Sequence, residues 1–310
     1  GEIVYPAACF GVVLDKTAVA QRETRTQKIF GQHSDGLTAL ATTVDGSIAA
    51  TGQIGESVEV WSTLNCSGVA CLKLLPGSRA CSALAFSADG AYVAAAAQDD
   101  AHTLHVFSVD SGRLVAAAPT GSDKILCLAW NGSAKTICFG ATNSFGLASL
   151  DGRSVSTKKG IYGPSAKRQA IFCCGFLEDA EGAEFCVVGT ASGYVYKLEG
   201  RTLAGGEKHH RGPVTTLSTS KSIPAGEDEK EIAAVVLVTG GYDGKVKLYA
   251  ADLEVKMEFD VRKEIYGSVD GAVSSACLNK DRRKLLVGTR GSEIYELSTL
   301  DESDLNKGPL

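Results

Sequence analysis

The sequence contains no run of 18 apolar residues and no basic-then-apolar leader, so neither a membrane span nor a secretory signal is legible and a soluble chain is expected. Positive charge is not in excess: 31 Lys and Arg stand against 36 Asp and Glu, for a net charge of −5. That balance argues against nucleic acid or an anionic membrane surface as partner, since both need a concentrated positive field. Histidine is scarce, and the five present are too dispersed to suggest a metal site. The ten cysteines include no Cys-x-x-Cys pair, and several, such as Cys127 in Ile-Leu-Cys-Leu-Ala-Trp, sit inside strand-like runs. They read as reduced core thiols of a cytosolic protein rather than as disulfides or metal ligands. Helix-period patterning is nearly absent. No Ser lies in a nucleophile-elbow context, and neither Gly-Gln-Ile-Gly nor Gly-Thr-Arg-Gly has the strand-to-helix setting of a phosphate loop.

What is present is a repeated hairpin. Residues 236–250 read as an apolar strand, a tight turn at Asp243-Gly244 and a second strand in which Val246 and Leu248 alternate with Lys245 and Lys247. Such a hairpin buries one face and needs copies of itself to pack against. Aligned on turn and alternation, equivalent positions fall at Trp61, Phe107, Ala148, Leu198, Tyr249 and Leu297, spaced 46, 41, 50, 51 and 48 residues apart. A period of that length with short strands predicts an all-β, seven-bladed propeller of degenerate WD40-type repeats, closed into one body over residues 1–310.

The predicted blades span about 1–30, 31–76, 77–121, 122–163, 164–208, 209–267 and 268–310. The first holds three strand-like pieces, Glu2–Ala8, Phe10–Asp15 and Thr24–Phe30, and is expected to be one strand short unless the tail after Leu297 completes it. Asp45-Gly46 and Asp89-Gly90 are read as two-residue hairpin turns. The acidic segment 177–183 is expected to be a solvated turn, and the Ser218–Lys230 insertion a mobile one.

In the WD repeats that this array resembles, a His ahead of the first strand, a Ser or Thr, a turn Asp and a Trp form a buried hydrogen-bonded chain. Blade six is expected to retain it through His210, Ser218 or Thr216, Asp243 and Tyr249, with His209 an exposed neighbour. Blade two keeps His33 and Trp61, but Gly55 stands near the turn Asp position, so its His is expected to lack that partner. Elsewhere the network reads as eroded and replaced by apolar packing.

Chemistry-bearing clusters are few. His102 and His105 are three apart on a strand and face opposite ways, and Asp99-Asp100 reads as a solvated turn pair. No catalytic, cofactor or metal residues are assigned. Two basic stretches stand out as candidate protein-binding surfaces: Arg153, Lys158, Lys159, Lys167 and Arg168, and then Lys280, Arg282, Arg283 and Lys284.

Five segments carry a family resemblance: Gly1-Glu-Ile-Val-Tyr5; Ala50-Thr-Gly-Gln53; Leu147-Ala-Ser-Leu-Asp-Gly-Arg153 with Lys158-Lys-Gly160; Gly240-Gly-Tyr-Asp-Gly244; and Leu286-Val-Gly-Thr289. In order and spacing they resemble the first propeller of the echinoderm microtubule-associated protein-like family. The resemblance implies a non-catalytic scaffold in the cytoplasm and cytoskeleton with tubulin or microtubule-associated proteins as partners. In that family tandem propellers engage tubulin and a separate basic coiled-coil arm binds the lattice. Arm, upstream motif and second propeller are absent here, so a monomeric fragment of a longer multidomain chain is expected. Tyr5-Pro6 and the run Gly288-Thr289 to Ile294-Tyr295 are similar to axonemal WD-repeat proteins of flagella as well, and a generic propeller adaptor such as a substrate receptor is the remaining alternative.

Overall fold

The structure, a computed structural model, describes residues 2–16, 26–164, 166–179, 181–220, 234–264, 271–279 and 281–299. Its strands form seven sheets in chain order, the blades of a seven-bladed WD40-type β-propeller. Among the described residues blade one comprises three strands, Glu2–Ala7, Phe10–Asp15 and Gln27–Phe30. Blade two comprises Leu37–Thr42, Ile48–Gln53, Ser57–Ser62 and Gly68–Lys73; blade three Cys81–Phe86, Tyr92–Ala97, Leu104–Ser108 and Leu114–Ala118. Blade four follows with Ile125–Trp130, Thr136–Ala141, Phe145–Asp151 and Ser154–Lys159. Blade five uses Ile171–Glu178, Glu184–Thr190, Tyr194–Glu199 and Thr202–Lys208, and gains a fifth, parallel strand, Ile161–Tyr162, that alternation over two residues could not announce. Blade six uses Val214–Thr219, Leu237–Gly241, Lys245–Tyr249 and Val255–Asp260, then a helical turn at Val261–Glu264. Blade seven shows Val273–Leu278, Lys284–Thr289 and Ile294–Ser298. Most of the Ser218–Lys230 insertion and the tail from 300 lie outside the described residues. No helix among the described residues is long and apolar enough to cross a membrane.

The chain divides into two compact units, Gly1–Phe139 with Gly146–Lys159, and Gly140–Phe145 with Gly160–Leu310. In the first, a core of Val58, Val60, Leu72, Leu84, Val93 and Phe107 joins blades two and three. Trp61 anchors blade two to the short first blade: its ring stacks on Phe30 at 4.9 Å, and Gly11 is required beneath it, since a Cβ there would lie 2.5 Å from Cζ2. In the second unit, Val238, Val246, Leu248, Val273, Leu285, Val287 and Tyr295 join blades six and seven. The six aligned repeat positions, Trp61, Phe107, Ala148, Leu198, Tyr249 and Leu297, are all buried on third strands. The repeat is therefore a packing repeat: one inward side chain per blade, whatever its chemistry.

The turn from first to second strand recurs and is wider than the two-residue turn expected. In blade two Thr43 N donates to the Ile48 carbonyl and Gly46 N to the Thr43 carbonyl, with Gly46 at φ 74°. The same bond recurs from Gly90 to Ser87, Ala134 to Asn131, Gly182 to Asp179 and Arg282 to Asn279. The positive φ belongs to the donor residue, and glycine takes it at least cost. Asp45 and Asp89 then act as acceptors, from the Ser47 and Ala91 amides. Hydroxyls of Thr43 and Ser47 hold the exposed Asp45 carboxyl down to about 2.

Blade-to-blade spacing is also a repeat. The first strand slips register at its second residue, Thr38 in blade two and Thr215 in blade six. Thr38 Oγ1 donates to the Cys81 carbonyl of blade three at 2.5 Å, and Thr215 Oγ1 to the Val273 carbonyl of blade seven at 2.5 Å. Facing each contact is a second-strand glycine. A Cβ on Gly52 would meet Cys81 Cβ at 2.5 Å, one on Gly189 Val214 Cβ at 2.8 Å, and one on Gly240 Val273 Cγ1 at 2.4 Å.

Candidate functional site

Blades two and six carry the polar chains. In blade six, His210 Nδ1 lies 3.0 Å from Asp243 Oδ1 and Nε2 lies 2.8 Å from Thr239 Oγ1, which is 3.1 Å from the Tyr249 hydroxyl. The carboxylate can only accept, so Nδ1 carries a proton; in the neutral ring Nε2 then accepts from the Thr239 hydroxyl and Tyr249 donates to Thr239. The threonine is Thr239 on the second strand, not Ser218 or Thr216: those two lie on the first strand, opposite Val238 and Gly240, and do not reach His210. Burial opposes ionisation of Asp243, but the bonds from His210, Arg211 N and Lys245 N outweigh it and hold the carboxyl down to about 2. Burial pushes the Tyr249 hydroxyl up. His209 is half-buried rather than exposed, edge-on to Tyr249 at 5.0 Å, and burial lowers its pKa.

Blade two contradicts the expectation that His33 lacks a partner. Its Nδ1 lies 2.8 Å from Gln53 Oε1, its Nε2 2.6 Å from Thr51 Oγ1, and Trp61 Nε1 donates to Thr51 at 3.0 Å. Ser34 N donates to the same Gln53 oxygen, and Gln53 Nε2 donates to Ser34 Oγ, so that oxygen is the amide acceptor. Gly55 does occupy the loop position that Asp243 holds. The acceptor reaches in instead from Gln53, two residues earlier, where blade six has Gly241. A Cβ on Gly241 would sit 2.4 Å from Asp243 Oδ1. The two blades fill one space from two backbone positions.

These chains tie the strands of their blades together. Asp99 accepts from Thr103 N at 2.9 Å, and Asp100 pairs with Arg79 at 3.0 Å in solvent. His105 is buried against Phe107, accepts from Leu75 N at 3.1 Å and has its pKa lowered by burial. Among the described residues no group of three His, Cys, Asp or Glu side chains is placed to hold a metal ion.

Arg153, Lys158 and Lys159 are exposed on the last hairpin of blade four, with Lys158 opposite Leu147 and Lys159 opposite Gly146. Neighbouring strand residues point to opposite faces, so the two lysines do not form one patch. Lys167 and Arg168 are exposed ahead of blade five, where Arg168 Nε donates to the Asn143 carbonyl at 2.7 Å. The second stretch is not a surface cluster. Lys280 lies outside the described residues, Arg283 is exposed, and Arg282 is 2% exposed with its guanidinium donating to the Val235 carbonyl. Arg282 holds the positive-φ turn position (φ 59°) that glycine fills in blades two and three, and from there its side chain runs into blade six. Thr299 Oγ1 closes over it, donating to the Arg282 carbonyl at 2.6 Å.

Sequence reasoning passed over a cluster at the loops of blades six and seven. Tyr242 is 42% exposed, with the Arg290 guanidinium 5.5 Å from its ring centre. Arg262 Nη2 donates to the Tyr242 carbonyl at 2.6 Å. Tyr242 and Arg262, with Arg211, Asp243, Lys245 and Asp260, border an open cavity of about 400 Å³. The signal was an aromatic residue inside the Gly-Gly-Tyr-Asp-Gly turn, a position where packing does not call for one.

No family model matches the chain. It is 25% identical over 97% of its length to a ciliary WD repeat-containing protein of Euplotoides octocarinatus, of which it spans 44%. It is 25% identical over 93% of its length to echinoderm microtubule-associated protein-like 4 of Xenopus tropicalis, spanning 32% of that protein. Mouse echinoderm microtubule-associated protein-like 2 is 23% identical over the same share, with 44% of it spanned. The resemblance read from the motifs holds: these relatives are echinoderm microtubule-associated protein-like and ciliary WD-repeat proteins. The chain spans less than half of each. Fold and relatives together support the reading of a protein-interaction scaffold.

Proposed function

We propose that this chain is a non-catalytic cytoskeletal scaffold whose partner is tubulin or a microtubule-associated protein. The observation that carries the reading is end-to-end similarity, 93% or more of the chain, to proteins named for microtubules and for cilia. The ciliary relative favours the axoneme as one setting. Single-propeller closure over residues 1–310 belongs to the same reading. Exposed Arg153, Lys158, Lys159, Lys167, Arg168 and Arg283 supply positive charge for an acidic partner surface, in a chain whose net charge is negative.

Co-elution of the 310-residue chain with purified tubulin, at low and at high salt, tests this. Binding that weakens with salt, and weakens again on charge reversal at Lys158 and Lys159, is expected. Absence of co-elution and of microtubule co-sedimentation overturns the tubulin assignment. Unchanged salt dependence in the charge-reversed variant removes the blade-four lysines from it.

A further inference from the structure

The loop between the second and third strands of blade six is built around an arginine. Gly244 has φ 80°, and a Cβ there would lie 2.4 Å from Arg262 Cγ, so glycine lets the arginine pack across the turn. Arg262 then donates to the Tyr242 carbonyl and borders the cavity that Arg211 enters from the segment ahead of blade six. Arg290, in the corresponding loop of blade seven, lies against the Tyr242 ring.

Two carboxylates also line the cavity, and both accept backbone hydrogen bonds. Asp243 takes His210 on one oxygen and Arg211 N on the other. Asp260 accepts from Arg262 N at 3.2 Å, and Lys245 is paired with Glu258. Among the described residues neither Arg211 nor Arg262 makes a side-chain ion pair. Arg211, Lys245 and Arg262 thus outnumber Asp243 and Asp260 around the cavity, beside an exposed aromatic face, in a protein of net charge −5.

We propose that Arg211, Tyr242 and Arg262 form a receptor for the carboxylate side chains of an extended acidic peptide, with Arg290 backing the Tyr242 ring. Guanidinium forks match carboxylates bidentately, while the tyrosine ring covers the methylenes that carry them. A peptide is favoured over nucleic acid because Asp243 and Asp260 interrupt the positive field of the lining. Discrete carboxylates can be placed between such acids, whereas a continuous phosphate backbone cannot. The proposal is independent of the cytoskeletal partner, because its probe is synthetic.

The probe is a fluorescent Glu-rich decapeptide, compared by anisotropy with its Gln counterpart and with a single-stranded oligonucleotide. The Glu peptide is expected to bind at least about ten-fold more tightly than the Gln peptide, and Arg211→Gln and Tyr242→Ala each to weaken it by about ten-fold. Arg211→Gln keeps the backbone bond to Asp243, and unchanged melting of both variants separates lost binding from lost folding. Charge reversal at Lys158 and Lys159 is expected to leave this binding intact. Equal affinity for the two peptides, undiminished binding by both folded variants, or tighter binding of the oligonucleotide overturns the proposal.

Discussion

Gln53 Oε1 stands 2.8 Å from His33 Nδ1 in the role that Asp243 Oδ1 plays for His210 at 3.0 Å, and it does so from a strand rather than from a loop. Both chains continue through a threonine to an aromatic donor, so a central hydroxyl serves two neighbours at once. Thr51→Val leaves the Trp61 Nε1–H without its acceptor and His33 Nε2 without its donor inside the fold. A loss of about 2 to 4 kcal/mol in urea unfolding is expected. Gln53→Ala is expected to cost about 1 to 3 kcal/mol. Wild-type stability in both variants would mean that the blade-two chain contributes nothing.

The two chains differ in how they respond to acid. Asp243 titrates near 4 when unfolded and about 2 when folded, so its contribution is whole above roughly pH 5 and drains away as pH falls from about 4 to about 2. Gln53 has no such proton to take up. Asp243→Asn should melt lower than wild type at pH 7 and depend less steeply on pH across that window, with Asp45 still supplying part of the remaining slope. Parallel melting curves against pH for the two proteins would count against an ionised Asp243.

Neighbouring arginines in blade seven separate structure from surface. Arg282 is buried with its guanidinium on the Val235 carbonyl, whereas Arg283 is exposed. Arg282→Ala is expected to lower stability by about 2 to 4 kcal/mol, through a vacated space and an unpaired carbonyl, while Arg283→Ala stays within about 0.5 kcal/mol. Equal unfolding midpoints for the two variants would contradict the burial of Arg282.

What could be read beforehand follows from which features have a period. Inward side chains such as Trp61 and Tyr249 recur with the blade, so the seven sheets and the short first one were legible. Polar partners have no fixed offset. Gln53 replaces an aspartate two positions away, and a comparison made position by position finds only Gly55 there. Thr239 was passed over because the first strand was searched for the hydroxyl, yet Thr51 and Thr239 both stand ten residues before their aromatic partners, and that shared spacing was available. Arg282 looked like surface charge because Lys280, Arg283 and Lys284 surround it. Only the turn repeat, with Gly46, Gly90 and Ala134 in its place, shows that its backbone position is structural.

The second-strand glycines yield the sharpest test of how blades are spaced. Gly240 faces Val273 of the next blade so closely that a Cβ would lie 2.4 Å from Cγ1 and 2.8 Å from Thr216 Cγ2, and both neighbours sit on paired strands that cannot easily withdraw. Gly240→Ala is therefore expected to destabilise by about 1 to 3 kcal/mol through overpacking. Val273→Ala alone removes buried methyl groups and is expected to cost a similar amount, about 1 to 3 kcal/mol. Together the two changes exchange volume across one contact, since the methyl gained on residue 240 enters the space that Cγ1 vacates. The double variant should then lose less than the sum of the singles by about 1 kcal/mol, the coupling expected of side chains that share a space. Strict additivity in urea unfolding would show that blades six and seven are held apart by something other than this glycine, with the Thr215 bond to the Val273 carbonyl the first place to look.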